Sequence, residues 1–444
     1  MSNLEQRINS LRENILSQVR EFHKLSEKKG LVAPDPYVKY VWRTWDEEEL
    51  VTLVESSLEQ KITYGSIGVE FEKRFVGYLG TEYGIFVNSG SSANFSAVSA
   101  LTSKTFSDDR GPLKPGDEVI TPAATFPTTL SVLLINNLTP VFADIDIGTY
   151  NMDPQRIKDA LSDRTKLIML PHTLGNPNDM DAIMELAREH QLYVIEDACD
   201  ALGSEYNGQK LGTFGDMGTF SFYLSHHIST GEGGMVVTKN SRLKRTVASF
   251  RDWGRDCWCE PYESDACGKR FGWQLGDLPF GYDHKYIFSN IGLNLKPLDL
   301  QAALGLEQLK KLPWITERRK ENFGKLVSGL QEFENYLILP KSIPKANPCW
   351  FSVPLTVREG IPFSRRELVA HLTEQGIETR PFFAGNIIKQ PAYQDIDYRI
   401  SGDLRNTDLV MNNTFFIGCH PLLTEEMIDH VLDSFKIYFE KNGA

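Results

Sequence analysis

Apolar positions near the start of the chain recur every three or four residues: Leu4, Ile8, Leu11, Ile15, Val19 and Phe22. That spacing marks one stripe of a helix, packed on the body of the protein or on a partner subunit. The polar stretch with Gly and Pro near 29–36 reads as a linker. From about residue 70 to 238 the pattern changes to short apolar runs separated by helical periods. The runs at 85–87, 118–120, 141–143, 167–170, 193–195 and 235–237 have the length and continuous apolar character of buried parallel strands. Helical segments at 93–101, 154–161 and 180–190 lie between them. Such alternation predicts an α/β domain with a mainly parallel sheet.

Residues 251–290 break the alternation; rich in Cys, Trp, Gly, Asp and Tyr, they read as a long functional insertion. Helical periodicity returns at 298–312 and 318–330. Strands at 350–356 and 415–418 and helices at 365–374 and 425–439 then predict a smaller C-terminal α/β domain. The expected division is a helix and linker (1–36), a large domain that includes the insertion (37–325) and a small domain (326–444).

Composition narrows the function classes. Of the 444 residues 41% are hydrophobic and 24% charged, as in soluble globular chains. Lys and Arg total 47 against 59 Asp and Glu, a net charge of -12, which argues against a nucleic-acid partner. No run reaches the ~18 apolar residues of a membrane helix. The start, MSNLEQRINS, has no apolar leader, so the chain reads as cytoplasmic. Thiols stay reduced there, so the six cysteines suit ligands, catalysts or buried filler better than disulfides.

Chemistry enters with three motifs. Asn88-Ser-Gly-Ser-Ser-Ala-Asn94 follows a strand and opens a helix. Gly90, Ser91 and Ser92 there could let backbone N–H groups grip a phosphate, although an ordinary strand-to-helix turn looks the same. In Val194-Ile-Glu-Asp-Ala-Cys-Asp200 an apolar strand ends in acids, at the sheet edge where α/β folds bind ligands. Asp197 could hold a protonated pyridine nitrogen or serve as a turn acid. The third motif is Ser221-Phe-Tyr-Leu-Ser-His-His-Ile-Ser-Thr-Gly-Glu-Gly-Gly234.

Together with Asn294-Leu-Lys-Pro-Leu-Asp-Leu-Gln-Ala-Ala303, these motifs resemble the sugar aminotransferases of the DegT/DnrJ/EryC1/StrS family, from about residue 46 to the C-terminus. The resemblance implies a homodimeric pyridoxal-phosphate enzyme of the type I, aspartate-aminotransferase-like fold. By the same resemblance Asp197 pairs with the cofactor's ring nitrogen, and Gly90, Ser91, Ser92 and Ser221 surround its phosphate. Phe126, in Ala124-Thr-Phe-Pro127, stacks on the ring, and Asn294 reaches the phosphate from the second subunit. The family places a Schiff-base lysine before Ile-x-Thr-Gly-Glu-Gly-Gly; this chain has His226 there. Imidazole forms no stable imine but can act as base or acid near neutral pH. The cofactor would then be held without covalent attachment, as pyridoxamine phosphate. A decayed relative is the alternative, against which the intact remainder of the site argues. Asp200, Tyr223 and Phe351 also stand where aminotransferases often have histidines.

The spacing Cys199-x57-Cys257-x-Cys259-x7-Cys267 offers four thiolates to a [2Fe–2S] cluster or a zinc ion. Spacing alone leaves the metal open, since neither paired C-x2-C nor plant-ferredoxin spacing is present. Cys199 lies two residues beyond Asp197, a place that suits an electron donor better than a structural zinc. With His226, the cysteine set resembles the family's 3-dehydrase branch, which carries pyridoxamine phosphate and a [2Fe–2S] cluster. That implies C3 deoxygenation of a nucleotide-linked 4-keto-6-deoxyhexose of the CDP type, with electrons from a separate NAD(P)H-dependent iron–sulfur flavoprotein reductase. The rivals are a cluster-free, pyridoxal-phosphate 3-dehydratase and a non-catalytic, zinc-binding regulatory relative. Cys349 and Cys419 read as buried filler. His284 and Tyr286, in Tyr282-Asp-His-Lys-Tyr286, and Arg380 could bind the sugar nucleotide or be solvated surface groups. His227 is expected to pack away from the ring.

Overall fold

The computed structural model describes residues 3–28, 38–106, 108–261 and 263–442; the expected linker at 29–36 lies outside the described residues. Twelve helices are described: α1 (Asn3–Lys28), α2 (Glu47–Leu58), α3 (Ser66–Leu79), α4 (Gly90–Thr102), α5 (Pro127–Ile135), α6 (Pro154–Ala160), α7 (Met180–Glu189), α8 (Ser241–Arg251), α9 (Asp299–Leu330), α10 (Arg365–Glu374), α11 (Arg405–Asn413) and α12 (Glu425–Asn442). The strands of the first two-thirds are β1 (Tyr83–Val87), β2 (Glu118–Pro122), β3 (Thr139–Ala143), β4 (Thr165–Pro171), β5 (Tyr193–Asp197), β6 (Glu205–Tyr206), β7 (Gln209–Lys210), β8 (Met217–Ser221) and β9 (Gly234–Thr238). β10 (Leu337–Ile338), β11 (Ala346–Asn347), β12 (Ser352–Val357), β13 (Thr379–Pro381), β14 (Arg399–Ser401) and β15 (Thr414–Gly418) complete the set.

An eight-stranded sheet in the order β1-β9-β8-β5-β4-β2-β3-β14 forms the centre. Only β9 runs antiparallel to its neighbours, β1 and β8, so the sheet is mainly parallel, as expected. All six apolar runs lie within its strands. β8 escapes sequence reading because Met217-Gly-Thr-Phe-Ser221 is short and partly polar, yet all five residues are buried. A Cβ on Gly218 would lie 2.1 Å from the Gly212 carbonyl oxygen, so close backbone packing replaces side-chain bulk there.

The two helical periods at 298–312 and 318–330 form one helix, α9, which runs through Pro313. A second, antiparallel sheet, β10-β12-β15-β13, forms in the C-terminal part. From that part β14 crosses back to pair with β3 of the large sheet. One apolar core continues from Phe71 and Ile168 to Val353 and Phe435, tying the two sheets together. Another, with Val87, Ala97, Leu130 and Val247, lies under α4, α5 and α8.

The N-terminal stripe does not pack on the body. Leu4, Ile8, Leu11, Ile15 and Phe22 face outward, between 38% and 68% exposed. The body side of α1 is instead Leu16, His23 and Ser26, all buried. Arg12 bridges to Glu55 and Glu59, and Arg20 to Glu48, which dock α1 on α2.

Candidate active site

The carboxyl ends of β5 and β8 and the first turn of α4 enclose a cavity of about 440 Å³. Asp197, last residue of β5, is buried and well partnered. Its Oδ2 accepts from Asn94 Nδ2 at 2.8 Å and Thr129 Oγ1 at 2.8 Å; its Oδ1 accepts from the Cys199 N–H at 3.3 Å. Thr219 Oγ1 donates to Asn94 Oδ1 at 2.5 Å and fixes the amide's orientation. These donors stabilise a buried carboxylate that would otherwise be costly, and Oδ1 keeps a lone pair for a cationic N–H. Sequence reading missed Asn94 and Thr129. Asn94 sits one turn into α4 from Gly90, on the helix face that meets the sheet, and that spacing was the available signal.

Ser89 caps α4 by accepting from the Ser92 N–H at 3.0 Å. Ser92 Oγ turns away from the cavity and donates to Asn88 Oδ1 at 2.6 Å, so its hydroxyl stabilises the turn. Gly90, Ser91 and Ser221 do line the cavity. A Cβ on Gly90 would lie 2.6 Å from Ser221 Cβ, so no larger residue fits this approach. The N-terminus of α4 beside two hydroxyls suits a phosphate. Phe126, half exposed at the start of α5, presents its ring to the cavity and meets Phe383 edge-on at 6.3 Å. Pyridoxal or pyridoxamine phosphate fits this donor set: a carboxylate for the ring nitrogen, an aromatic face, and an anion seat.

His226 lies in the turn after β8, on the cavity wall. Its ring is tilted against Phe351 with centroids 5.6 Å apart. Nδ1 stands 3.4 Å from Asp200 Oδ1 but lacks hydrogen-bond geometry. Burial pushes the imidazole down to about 4, with the Asp197 charge acting the other way. Burial, and then the charge of Asp197, pushes the Asp200 carboxyl up to about 7. At neutral pH His226 is therefore uncharged and able to accept a proton. Among the described residues no lysine lines the cavity. His227 points away, its Nε2 2.9 Å from the Cys349 carbonyl.

The expected metal set is not assembled. Cys199 lies on the cavity wall, while Cys257, Cys259 and Cys267 belong to the insertion. Among the described residues no group of three or more His, Cys, Asp or Glu side chains could hold a metal ion. Burial, reinforced by Asp197 and Asp200, pushes the Cys199 thiol up. Cys267 Sγ instead contacts His284 Nδ1 at 3.6 Å. Four cysteines in this arrangement do not fit a cluster.

The candidates for sugar-nucleotide binding divide. Arg380 lines the cavity, paired with Glu378 and stacked over Tyr40 at 4.3 Å. His284 is buried in the insertion, its Nε2 2.7 Å from Asp256 Oδ1 and its ring stacked on Trp273. Both nitrogens are engaged, so the structure does not offer His284 to a ligand. Tyr286 is exposed on the same insertion, and neither it nor Asn294 reaches this chain's cavity.

Comparison with known proteins bears on this geometry. The chain is 46% identical over 432 residues to dTDP-4-dehydro-2,6-dideoxy-D-glucose 3-dehydratase of Saccharopolyspora spinosa, covering 97% of this chain and 93% of that one. It is 47% identical to the lipopolysaccharide biosynthesis protein RfbH of Salmonella typhimurium, covering 98% and 99% of the two chains. In structure it resembles E. coli GDP-4-keto-6-deoxy-D-mannose-3-dehydratase with bound hydrated PLP, with a TM-score of 0.80, 31% identity, and 89% and 98% of the chains covered. Residues 44–436 match the model of one family. The type I fold expected from the motifs is the observed one, and the chain belongs to the DegT/DnrJ/EryC1/StrS aminotransferase family.

Proposed function

We propose that this chain is a sugar-nucleotide 3-dehydrase of deoxysugar biosynthesis. It removes the C3 hydroxyl of a nucleotide-linked 4-keto-6-deoxyhexose, CDP-linked in the finer reading, with pyridoxamine phosphate held without a covalent link. One observation carries the reading: His226, and no lysine, stands on the cavity wall beside the Asp197 carboxylate. The bound cofactor would supply an amine for the C4 ketone and a ring that accepts electrons. With the cofactor bound, neutral His226 would move a proton from its C4′ to the departing C3 oxygen, which would leave as water. Asp197 keeps the ring nitrogen protonated, held in place by Asn94 and Thr129. Phe126 fixes the plane of the ring. The Arg380 guanidinium suits the substrate's diphosphate.

Cys199, Cys257, Cys259 and Cys267 support, by spacing alone, a [2Fe–2S] cluster fed by a separate NAD(P)H-dependent iron–sulfur flavoprotein reductase. None of the steps above passes through it, because among the described residues these thiols are not gathered into a group that could hold a metal. The second reading is a cluster-free 3-dehydratase that recovers its amine by transamination from glutamate. Asn294, outside its own cavity and close in sequence to the exposed Phe288, Ile291 and Leu293, supports a homodimer in which it completes the other copy's phosphate seat.

The tests are an absorption spectrum of anaerobically purified protein and product analysis. The cluster reading expects a red-brown chromophore that Cys257→Ser removes and Cys349→Ser keeps, and a 3-deoxy product only with reductase and NADH. A colourless protein that forms product with glutamate establishes the second reading. Cofactor left covalently attached after borohydride reduction would overturn both.

A further inference from the structure

The outward stripe of α1 has the pattern of an interface. Leu4, Ile8, Leu11, Ile15, Gln18, Phe22 and Leu25 follow one another at alternating steps of four and three residues, a heptad seam over three turns of the repeat. Every one of them is exposed, whereas the neighbouring face of the helix is docked on α2 through Leu16, His23 and the ion pairs of Arg12 and Arg20. The fold therefore covers a largely polar face of the helix and leaves its apolar stripe uncovered. A contiguous exposed stripe of this length is unusual on a protein that acts alone. α1 also precedes residue 44, where the family match begins, so this surface is additional to the family's common body.

Charge along the seam identifies the occupant. Arg7, Asn14 and Glu21 flank the stripe on one side at seven-residue intervals, and all three are exposed. Arg7 and Glu21 lie symmetrically about Asn14. In an antiparallel pair of identical helices, Arg7 of each copy meets Glu21 of the other, and the two Asn14 amides meet near the two-fold axis. The same alignment layers Leu11 on the second copy's Ile15, and Leu4 on its Phe22. A parallel pair would place like residues side by side and lose the charge match. We infer that the exposed seam of α1 binds α1 of a second copy of this chain, antiparallel and centred on Asn14. The contact is isologous: each copy presents the same stripe to the other.

Disulfide trapping of the full chain tests this directly. Leu4→Cys and Phe22→Cys proteins are each mixed with themselves and with one another under mild oxidation, with wild type as the control for native thiols. A linked dimer should form in the mixture and in neither variant alone, because only the antiparallel layer brings position 4 to position 22. Adding Arg7→Glu to the Leu4→Cys protein and to the Phe22→Cys protein should lower the yield about tenfold, and adding Glu21→Arg as well should restore it. Linkage of Leu4→Cys with itself would overturn the antiparallel pairing. No linkage in the mixture would overturn the contact altogether. Binding of wild type to phosphatidylglycerol vesicles, with no trapping, would assign the stripe to a membrane surface instead. Each variant should keep wild-type cofactor binding, so the result is independent of the chemistry proposed above.

Discussion

At the residue scale the site is set by opposed protonation preferences. Unfolded Asp200 would lose its proton near 3.8, the folded one near 7. Between those values the unfolded chain binds fewer protons, so Asp200 costs stability as pH rises. His226 acts in reverse: the unfolded imidazole binds a proton below 6.5, the folded one only near 4, so it adds stability as pH rises through that window. A tenfold change in proton affinity is worth about 1.4 kcal/mol, so each effect alone is measurable while together they largely cancel. Urea unfolding of apo-protein should show Asp200→Asn gaining stability from pH 4.5 to 6.5 and His226→Asn losing it. Wild type should be flatter than either. Asn94→Ala should weaken cofactor binding about tenfold by removing one charge-assisted bond to Asp197, read by titration of the cofactor's absorbance. Thr102→Ala, at the far end of α4, should leave that titration unchanged. Asp197 and His226 were legible from motif and position. Asn94 and Thr129 were not, because their roles depend on two helices meeting one strand end.

At the scale of elements, one acid joins two helices. Asp299 opens α9 and is fully buried. Its Oδ1 accepts from the Gly65 N–H at 2.8 Å and the Gly68 N–H at 2.9 Å, at the start of α3, where Gly65 offers no side-chain cap of its own. The carboxylate thus sits at the positive end of two helix dipoles. Asp299→Ala should destabilise the protein by about 3 kcal/mol, since two buried donors lose their acceptor. Asp299→Asn should recover part of this, because its Oδ1 still accepts. Gly68→Ala should destabilise too, as its Cβ would lie 2.5 Å from the Tyr64 ring. Denaturant midpoints at neutral pH check all three. Asp299 was visible only as part of a motif suggesting cofactor chemistry; its structural work depends on a partner more than 230 residues away.

For the whole molecule, the proposed sharing of the phosphate seat between two copies predicts that cofactor affinity falls on dilution. If Asn294 is supplied by a second copy, a dilution series below the dimer's dissociation constant should release cofactor in step with loss of mass, followed by fluorescence and sedimentation. Asn294→Ala should weaken binding in the concentrated protein and leave the sedimenting mass unchanged.

Local pattern sufficed for the strands β1 to β5 and β9, the helices α4, α6 and α7 and the mainly parallel sheet, because burial on both faces demands continuous apolar runs and amphipathic covers. The motifs at 88–94, 194–200, 221–234 and 294–303 together sufficed for the family, and the third for the replacement of the Schiff-base lysine, since both are matters of residue identity. What tertiary structure decided are matters of distance. It drew the Ser92 hydroxyl onto Asn88 in the turn before α4, enclosed His284 between Asp256 and Trp273, put Cys199 on the cavity wall, and left the α1 stripe facing solvent. Spacing along a chain cannot report these outcomes, because each depends on which surfaces distant segments present to one another after folding.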